Sequence, residues 1–137
     1  MGRIIAIDYG LKRTGVAVTD PLRIIATGLT TIQSPQLIPW LKEYLARESV
    51  DLILIGMPTN LDDSDTTATP LVRQAIERIK KAFPGTPLET ADERYTSKLA
   101  SRSLVESGVK KKDRRNKGLV DEVAATILLQ DYLHHQK

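Results

Sequence analysis

The fold is decided by two apolar segments, Arg3-Ile-Ile-Ala-Ile-Asp-Tyr9 and Gly15-Val-Ala-Val-Thr-Asp20, which the turn Gly10-Leu-Lys-Arg-Thr14 separates. Two apolar runs on either side of a glycine-containing turn are typical of a buried β-hairpin. Asp8 is unusual in the first run, because a buried carboxylate is destabilising unless it is paired, hydrogen-bonded or bound to a metal. The hairpin therefore predicts both a sheet and a carboxylate with a role, for which Glu93 and Asp121 are candidate companions.

The rest of the chain alternates between strand and helix patterns. A third strand is predicted over residues 23–32, and Ser34 with Pro35 is expected to cap a helix that ends near Arg47. The apolar run at residues 50–56 predicts a parallel strand covered on both faces. A helix beginning at Thr69-Pro70, a short strand at residues 87–91, a helix at residues 98–107 and a last helix from Gly118 to about His134 follow.

The resulting order, βββαβαβαα, predicts an α/β fold with a five-stranded mixed sheet and helices on both faces. Three strands would form an antiparallel meander, and the other two would pair in parallel with the first. In the last helix the expected buried positions are Val120, Val123, Ala124, Ile127 and Leu128. Trp40 is expected to pack or to make a partly exposed contact, not to stack on bases.

Length and composition limit the class of protein. A length of 137 residues predicts one domain, residues 1–137. Because the chain has no Cys, disulfides, thiolate zinc sites and a Cys nucleophile are excluded. No apolar run approaches about 18 residues, and no leader-like segment precedes the first strand. We expect a soluble cytoplasmic protein that does not associate with membranes.

Positive charge is concentrated in residues 110–117, which we call the basic segment. Its six cations and one anion give +5 against a total of +3, so the remainder sums to −2. Such a cluster is equally compatible with a solvated loop and with an arm that contacts nucleic-acid phosphates.

Asp8, Glu93 and Asp121 lie on three distant segments that a parallel sheet could bring together. Converging carboxylates repel one another unless hard divalent cations neutralise them, and two Mg²⁺ or Mn²⁺ ions roughly 4 Å apart could support phosphodiester hydrolysis. Each acid also has a purely structural explanation. Asp8 could cap the turn, Glu93 could pair with a neighbouring Arg, and Asp121 could interact with the helix dipole.

Four motifs resemble the YqgF/RuvX family, which is described as pre-16S ribosomal RNA nucleases and is similar to Holliday-junction resolvases of the RuvC kind. They are Ile7-Asp-Tyr-Gly-Leu-Lys-Arg-Thr-Gly-Val-Ala-Val18, Gly56-Met-Pro-Thr-Asn60, Asp92-Glu-Arg-Tyr-Thr96 and Lys117-Gly-Leu-Val-Asp-Glu-Val-Ala-Ala125. The resemblance implies an RNase H-like fold, with Asp8, Glu93 and Asp121 as catalytic acids that bind the metal.

The same resemblance, together with the basic segment, suggests a substrate-binding set. Its members are Lys12, Arg13, Asn60, Arg94, Lys110, Lys111, Lys112, Arg114, Arg115 and Lys117. Tyr9 and Tyr95 are the aromatic residues beside the acids, too few to favour recognition by base stacking.

The main functional hypothesis is a metal-dependent endonuclease that cuts structured RNA, with the 5′ end of pre-16S rRNA in ribosome biogenesis as its expected target. The alternatives are a Holliday-junction-like nuclease acting on branched DNA and a nucleic-acid-binding protein that does not cut. The chain would act as a monomer or a homodimer. An actin-like ATPase or sugar kinase is disfavoured, because those proteins need two such domains around the nucleotide.

Overall fold

The computed structural model describes residues 2–58, 68–92 and 117–135. These residues form a five-stranded mixed sheet in the order β3-β2-β1-β4-β5. The strands are β1 Arg3–Tyr9, β2 Arg13–Thr19, β3 Ala26–Gln33, β4 Val50–Met57 and β5 Leu88–Asp92. The described helices are α1 Leu37–Arg47, α2 Thr69–Ala82 and α3 Lys117–His135, and a short 3₁₀ turn, Ser34–Gln36, precedes α1.

Pairing along the sheet confirms the predicted topology. β1 and β2 form the antiparallel hairpin, and β3 pairs antiparallel with β2. β4 pairs in parallel with β1, and β5 pairs in parallel with β4. The carboxyl ends of β1, β4 and β5 therefore lie at one edge of the sheet, where α/β folds commonly place their ligands.

Helices cover both faces of the sheet. Ile5, Ile7 and Ile55 belong to the cluster that α1 and α2 cover. Ile4, Ala6 and Leu54 belong to the opposite cluster, with Ala125 and Leu129 of α3. Alternate β1 and β4 side chains thus enter different cores, which explains why both strands are nearly continuous apolar runs. Trp40 is partly buried against the first cluster and stacks on Tyr44 within α1, with ring centroids 5.1 Å apart. The predicted packing role is confirmed, whereas its partner Tyr44 was not predicted.

The predicted start of β3 is wrong. Residues 23–25 form part of a turn, in which Arg23 has a φ of 58°, and the strand begins at Ala26. The carboxylate of Asp20 accepts hydrogen bonds from the amides of Leu22, Ile24 and Ile25. Because these amides are satisfied by a local side chain, the β-branched residues of this segment do not extend the strand.

Ser34 does not have its predicted role as a helix cap. Neither the 3₁₀ turn nor α1 has a side-chain hydrogen bond at its amino-terminal cap. Instead the Ser34 side chain is buried, and its hydroxyl lies 2.8 Å from the hydroxyl of Thr14 and donates to the carbonyl of Gly10. Ser34 thus joins the start of α1 to the β1–β2 turn.

The buried face of α3 also differs from the prediction. Ala124 and Leu128 are buried as expected, but Ala125 and Leu129 are buried as well, while Val123 and Ile127 are only partly buried. Apolar residues occur on every side of this helix, so the sequence pattern could not select one face. The side chain of Val120 lies outside the described part, as do the predicted helix at residues 98–107 and most of the basic segment.

Candidate active site

Asp8 is the predicted acid whose side chain the structure describes. It lies near the carboxyl end of β1 and is half-buried. Side chains alternate along a strand, and Ile4 and Ala6 pack in the α3 cluster whereas Ile5 and Ile7 pack on the other face. Asp8 therefore faces the α3 side of the sheet, at the edge where the parallel strands end.

The direction of α3 brings its first turns toward the same edge. Near its carboxyl end, Gln130, Leu133 and His134 line a shallow pocket with Ile24 and Ile25, at the opposite edge. Earlier in the helix, the side chains of Glu122 and Thr126 lie over Gly28, since a Cβ built there would be 2.8 Å from Oε1 of Glu122 and 3.0 Å from Oγ1 of Thr126.

Gly28 pairs with Ala17, and Ala17 pairs with Ala6 of β1. The helix turn before Glu122 therefore extends past the level of Ala6, in the direction of Asp8. Asp121 belongs to this part of α3 by its backbone, and its side chain lies outside the described part.

Two residues of β5 contact α3 and so show which face of the strand lies toward this helix. Ala91 packs against the α3 cluster, and the Tyr132 hydroxyl of α3 is hydrogen-bonded to the Glu89 carboxylate. The pKa of Tyr132 is raised above its usual range. Burial is the largest cause, and the hydrogen bond to Glu89 and the charge of Glu89 add to it. The contact joins β5 to the last turns of α3. Glu93, one residue beyond the strand, lies outside the described residues.

The β1–β2 turn lies beside Asp8 in the sequence and carries two predicted substrate contacts. Lys12 is exposed in the turn, and its carbonyl accepts a hydrogen bond of 2.9 Å from the Ser34 amide. Arg13 is the first residue of β2 and is half-buried. The Ser34 contacts with Gly10 and Lys12 therefore fix the β1–β2 turn against the segment that precedes α1.

Tyr9 does not share the face of Asp8. It packs against the cluster under α1 and α2, and its hydroxyl accepts a hydrogen bond of 3.2 Å from Nη2 of Arg78. Sequence reasoning missed this contact and the Ser34 contacts with Thr14 and Gly10. The partners are 69, 20 and 24 residues apart, so no local pattern could have revealed them.

The remaining predicted site residues lie outside the described part, wholly or in their side chains. These are Glu93, Asn60, Arg94, Lys110, Lys111, Lys112, Arg114, Arg115, the side chain of Asp121 and the side chain of Lys117. Within residues 2–58, 68–92 and 117–135, no three His, Cys, Asp or Glu side chains converge as metal ligands would. No helix in that part of the chain is long and apolar enough to cross a bilayer.

Known proteins share the sequence pattern and the fold of this chain. The family model described as "RuvX: Holliday junction resolvase" matches residues 2–135. The chain belongs to the RuvX family. A relative from Christiangramia forsetii is 49% identical over 134 residues, covering 98% of this chain and 99% of its own length. One from Amoebophilus asiaticus is 50% identical over 137 residues, covering 100% and 97%. Both carry the name "Putative pre-16S rRNA nuclease".

Solved structures show the fold of this RuvX-family chain. Thermus thermophilus RuvC in complex with a Holliday junction substrate superposes with a TM-score of 0.62 at 16% identity, covering 99% of this chain and 96% of RuvC. A second Thermus thermophilus RuvC structure gives 0.57 at 15% identity, covering 98% and 95%. The predicted RNase H-like fold and the predicted family are both confirmed.

Proposed function

We propose that this chain is a metal-dependent endonuclease that hydrolyses phosphodiester bonds in structured RNA, and that its task is 5′ processing of pre-16S rRNA in ribosome biogenesis. The observation that carries the proposal is the position of Asp8, a half-buried carboxylate at the carboxyl edge of the sheet and on the face of α3. The names of its relatives give the substrate class. We further propose that residues 1–137 act as one domain in the cytoplasm.

The catalytic group of this proposal is Asp8, Glu93 and Asp121. Glu93 is included because it directly follows Asp92, the last residue of β5, at the edge where the parallel strands end. Helical periodicity supports Asp121, because it precedes the buried Ala125 by four residues in α3. The end of β5 and the first turns of α3 both lie toward the edge that carries Asp8.

Carboxylate oxygens are the donors that hard divalent cations prefer, so this set fits Mg²⁺ or Mn²⁺. Two such ions, when bound, would supply an activated water and neutralise charge on the leaving oxygen. The protein's own part is to fix the acids on a rigid sheet and helix, and to exclude water on the α3 side with the buried residues Ile4 and Ala6.

A set of cationic and polar residues is proposed to hold the nucleic-acid backbone. Lys12 and Arg13 lie in and just after the turn that follows β1. Asn60 and Arg94, and the basic segment with Lys110, Lys111, Lys112, Arg114, Arg115 and Lys117, complete the proposed set. Backbone contacts of this kind position a substrate without reading its sequence.

The test is cleavage of a pre-16S rRNA 5′ fragment with Mg²⁺ or Mn²⁺ by wild type and by Asp8→Asn. Because Asn keeps the shape of Asp but removes the charge, we expect the cleavage rate to fall by about a hundredfold or more. Glu43→Gln is the matched control, since Glu43 is an exposed carboxylate on α1, across the sheet from Asp8. Equal rates for wild type and Asp8→Asn would end the assignment of catalysis to this site.

The second candidate substrate is branched DNA. The description of the family model and the RuvC complex favour it. Side-by-side cleavage of a four-way DNA junction and of the RNA fragment separates the two substrates. Binding of either substrate without any Asp8-dependent cleavage would instead support a nucleic-acid-binding protein that does not cut.

A further inference from the structure

A groove lies between the β1–β2 turn and the end of β3, at the same edge of the sheet as Asp8. β3 ends at this edge because it pairs antiparallel with β2, which pairs antiparallel with β1. The volume of the groove is about 620 Å³, within the range of ligand sites. We call it the β3-end groove, and its described lining consists of Leu11, Lys12, Arg13, Thr31, Ile32, Gln33 and Pro35.

The side chains that line the β3-end groove match the parts of a nucleotide. Two cations and no acid occur in its described lining, so the groove attracts anions such as phosphates. Leu11, 68% exposed, supplies apolar surface. Gln33 supplies a neutral amide, which both donates and accepts hydrogen bonds. Such an amide adds little to the attraction of a phosphate but is suited to the hydroxyl of a sugar.

Gln33 is placed to make such a contact. It is the last residue of β3 and its side chain is exposed. Although Gln33 occupies the amino-terminal cap of the 3₁₀ turn, its side chain makes no capping hydrogen bond. The amide is therefore not used to begin the helix that follows.

The register of the sheet relates the β3-end groove to the candidate active site. Asp8 pairs with Gly15, and Gly15 pairs with Thr31, so these three residues form one row across the sheet. Arg13 and Gln33 pair in the next row of the same face. Because directly paired residues share a face of the sheet, Asp8, Arg13 and Gln33 all belong to the face that α3 covers.

The spacing of a β-sheet gives the distance between Gln33 and Asp8. Two strand spacings of about 4.8 Å and one step of about 6.8 Å along the strand separate their backbones by about 12 Å. One strand of a nucleic-acid helix advances about 3.4 Å per nucleotide, so about three or four nucleotides cover this distance. A strand with a phosphate at Asp8 can therefore place a sugar at Gln33.

We propose that the β3-end groove binds the sugar–phosphate backbone of RNA, with Gln33 hydrogen-bonded to a ribose 2′-hydroxyl about three or four nucleotides from the phosphate at Asp8. Arg13, the cross-strand partner of Gln33, contacts a neighbouring phosphate. Since the 2′-hydroxyl distinguishes RNA from DNA, Gln33 is a specificity-determining residue. This inference rests on the proposed nuclease function, which places the scissile phosphate at Asp8.

The first experiment measures binding without cleavage. Fluorescence anisotropy in EDTA compares a labelled pre-16S rRNA 5′ fragment with a DNA of the same sequence. We expect Gln33→Leu to weaken RNA binding by about three- to tenfold, the effect of one hydrogen bond, and to leave DNA binding unchanged. Gln74→Leu, at an exposed position on α2, is the matched control and should bind both as wild type does. Arg13→Gln should weaken both equally, because both contain phosphates.

The second experiment locates the hydroxyl that Gln33 contacts. A single 2′-deoxynucleotide is moved along the RNA one position at a time, and the dissociation constant is measured for wild type and for Gln33→Leu. We expect wild type to bind about three- to tenfold more weakly at one or two adjacent positions. Gln33→Leu should not respond at these positions, because the hydrogen bond is already lost.

Two results would overturn the proposal. One is a Gln33→Leu variant that keeps the RNA affinity of wild type, and the other is a variant that loses RNA and DNA affinity to the same extent. Circular dichroism checks that the variant is folded, and Gln33→Ala replaces it if it is not. Cleavage tests the nuclease function separately. Asp8-dependent RNA cleavage together with unchanged RNA binding by Gln33→Leu would refute the groove contact alone.

Discussion

Asp20 determines the path of the β2–β3 turn with a single carboxylate. It accepts hydrogen bonds from three amides at 3.2, 2.8 and 2.8 Å, and its own carbonyl accepts another from Arg23. The sequence of this turn, rich in Ile, predicts a strand, because β-branched residues favour strands when nothing competes. A local side-chain acceptor competes here, and a propensity argument does not include it.

The hydrogen bonds at Asp20 predict an acid-dependent loss of stability. They lower the pKa of Asp20 below its ordinary value of 3.8. The contribution of Asp20 to the free energy of unfolding is therefore fully present above pH 3.8, and it is lost as the pH falls through the lower pKa of the folded state. In Asp20→Asn the position does not titrate. In urea unfolding between about pH 2.5 and 6, the wild type should be more stable than Asp20→Asn at the higher pH. This difference in the free energy of unfolding should shrink as the pH falls. A gap that stays constant throughout would contradict this account.

Ser34 connects the β1–β2 turn, beside the candidate active site, to the start of α1. Its hydroxyl contacts Thr14 and Gly10, and its amide contacts Lys12. Thr14 is fully buried and Ser34 is 4% exposed, so neither water nor another described side chain replaces these contacts readily.

Removing this hydroxyl should be costly. Ser34→Ala leaves the Gly10 carbonyl and the Thr14 hydroxyl without their partner, and we expect a loss of about 1–3 kcal/mol in the free energy of unfolding. Thr14→Val is the comparison, because Ser34 can still donate to Gly10 there and the loss should be smaller. Denaturant titrations of both variants measure the difference. Equal losses would mean that the hydroxyl pair, not the Gly10 contact, is what matters.

At the level of elements, the sequence predicted the sheet better than it predicted how α3 packs. β1 and β4 are recognisable because they are buried on both faces and read as continuous apolar runs. Apolar residues occur on every side of α3, so the sequence alone does not show which of them contact the sheet. The small residues Gly28, Ala124 and Ala125 permit that contact, and a search for large apolar side chains overlooks them.

Gly28 therefore offers a test of how α3 is docked. A Cβ there would lie 2.8 to 3.0 Å from Glu122 and Thr126, and the branched side chain of Gly28→Val would push against the helix. We expect a loss of about 1–3 kcal/mol in stability and slower cleavage, because the same helix carries Asp121. Gly85→Ala is the control, since a Cβ at Gly85 meets nothing within 4 Å. Thermal unfolding and cleavage rates measure both effects, and an unchanged Gly28→Val would show that α3 can shift without consequence.

At the scale of the whole molecule, the predicted topology accounts for only part of the candidate site. The parallel order of β1, β4 and β5 follows from strands separated by helices, and it fixes the edge at which Asp8 lies. The three acids belong to segments far apart in the chain, so the proposed site requires a particular register and tilt of α3 and a particular path beyond β5. Neither is determined by local patterns.

The distribution of charge over the molecule leads to the last prediction. Because the basic segment holds +5 and the remainder of the chain −2, nucleic-acid affinity should depend on that segment. Changing Lys110, Lys111 and Lys112 together to Ala should reduce the slope of log affinity against log salt by about 2 to 3, because each phosphate that a lysine no longer neutralises lowers the slope by about one. Changing Lys80 and Lys81 to Ala removes two exposed charges from the last turn of α2 and should leave the slope near that of wild type. Fluorescence anisotropy with a labelled RNA hairpin at several salt concentrations measures both slopes. If the triple variant keeps the wild-type slope, the basic segment is a solvated loop and the phosphates are bound elsewhere on the protein.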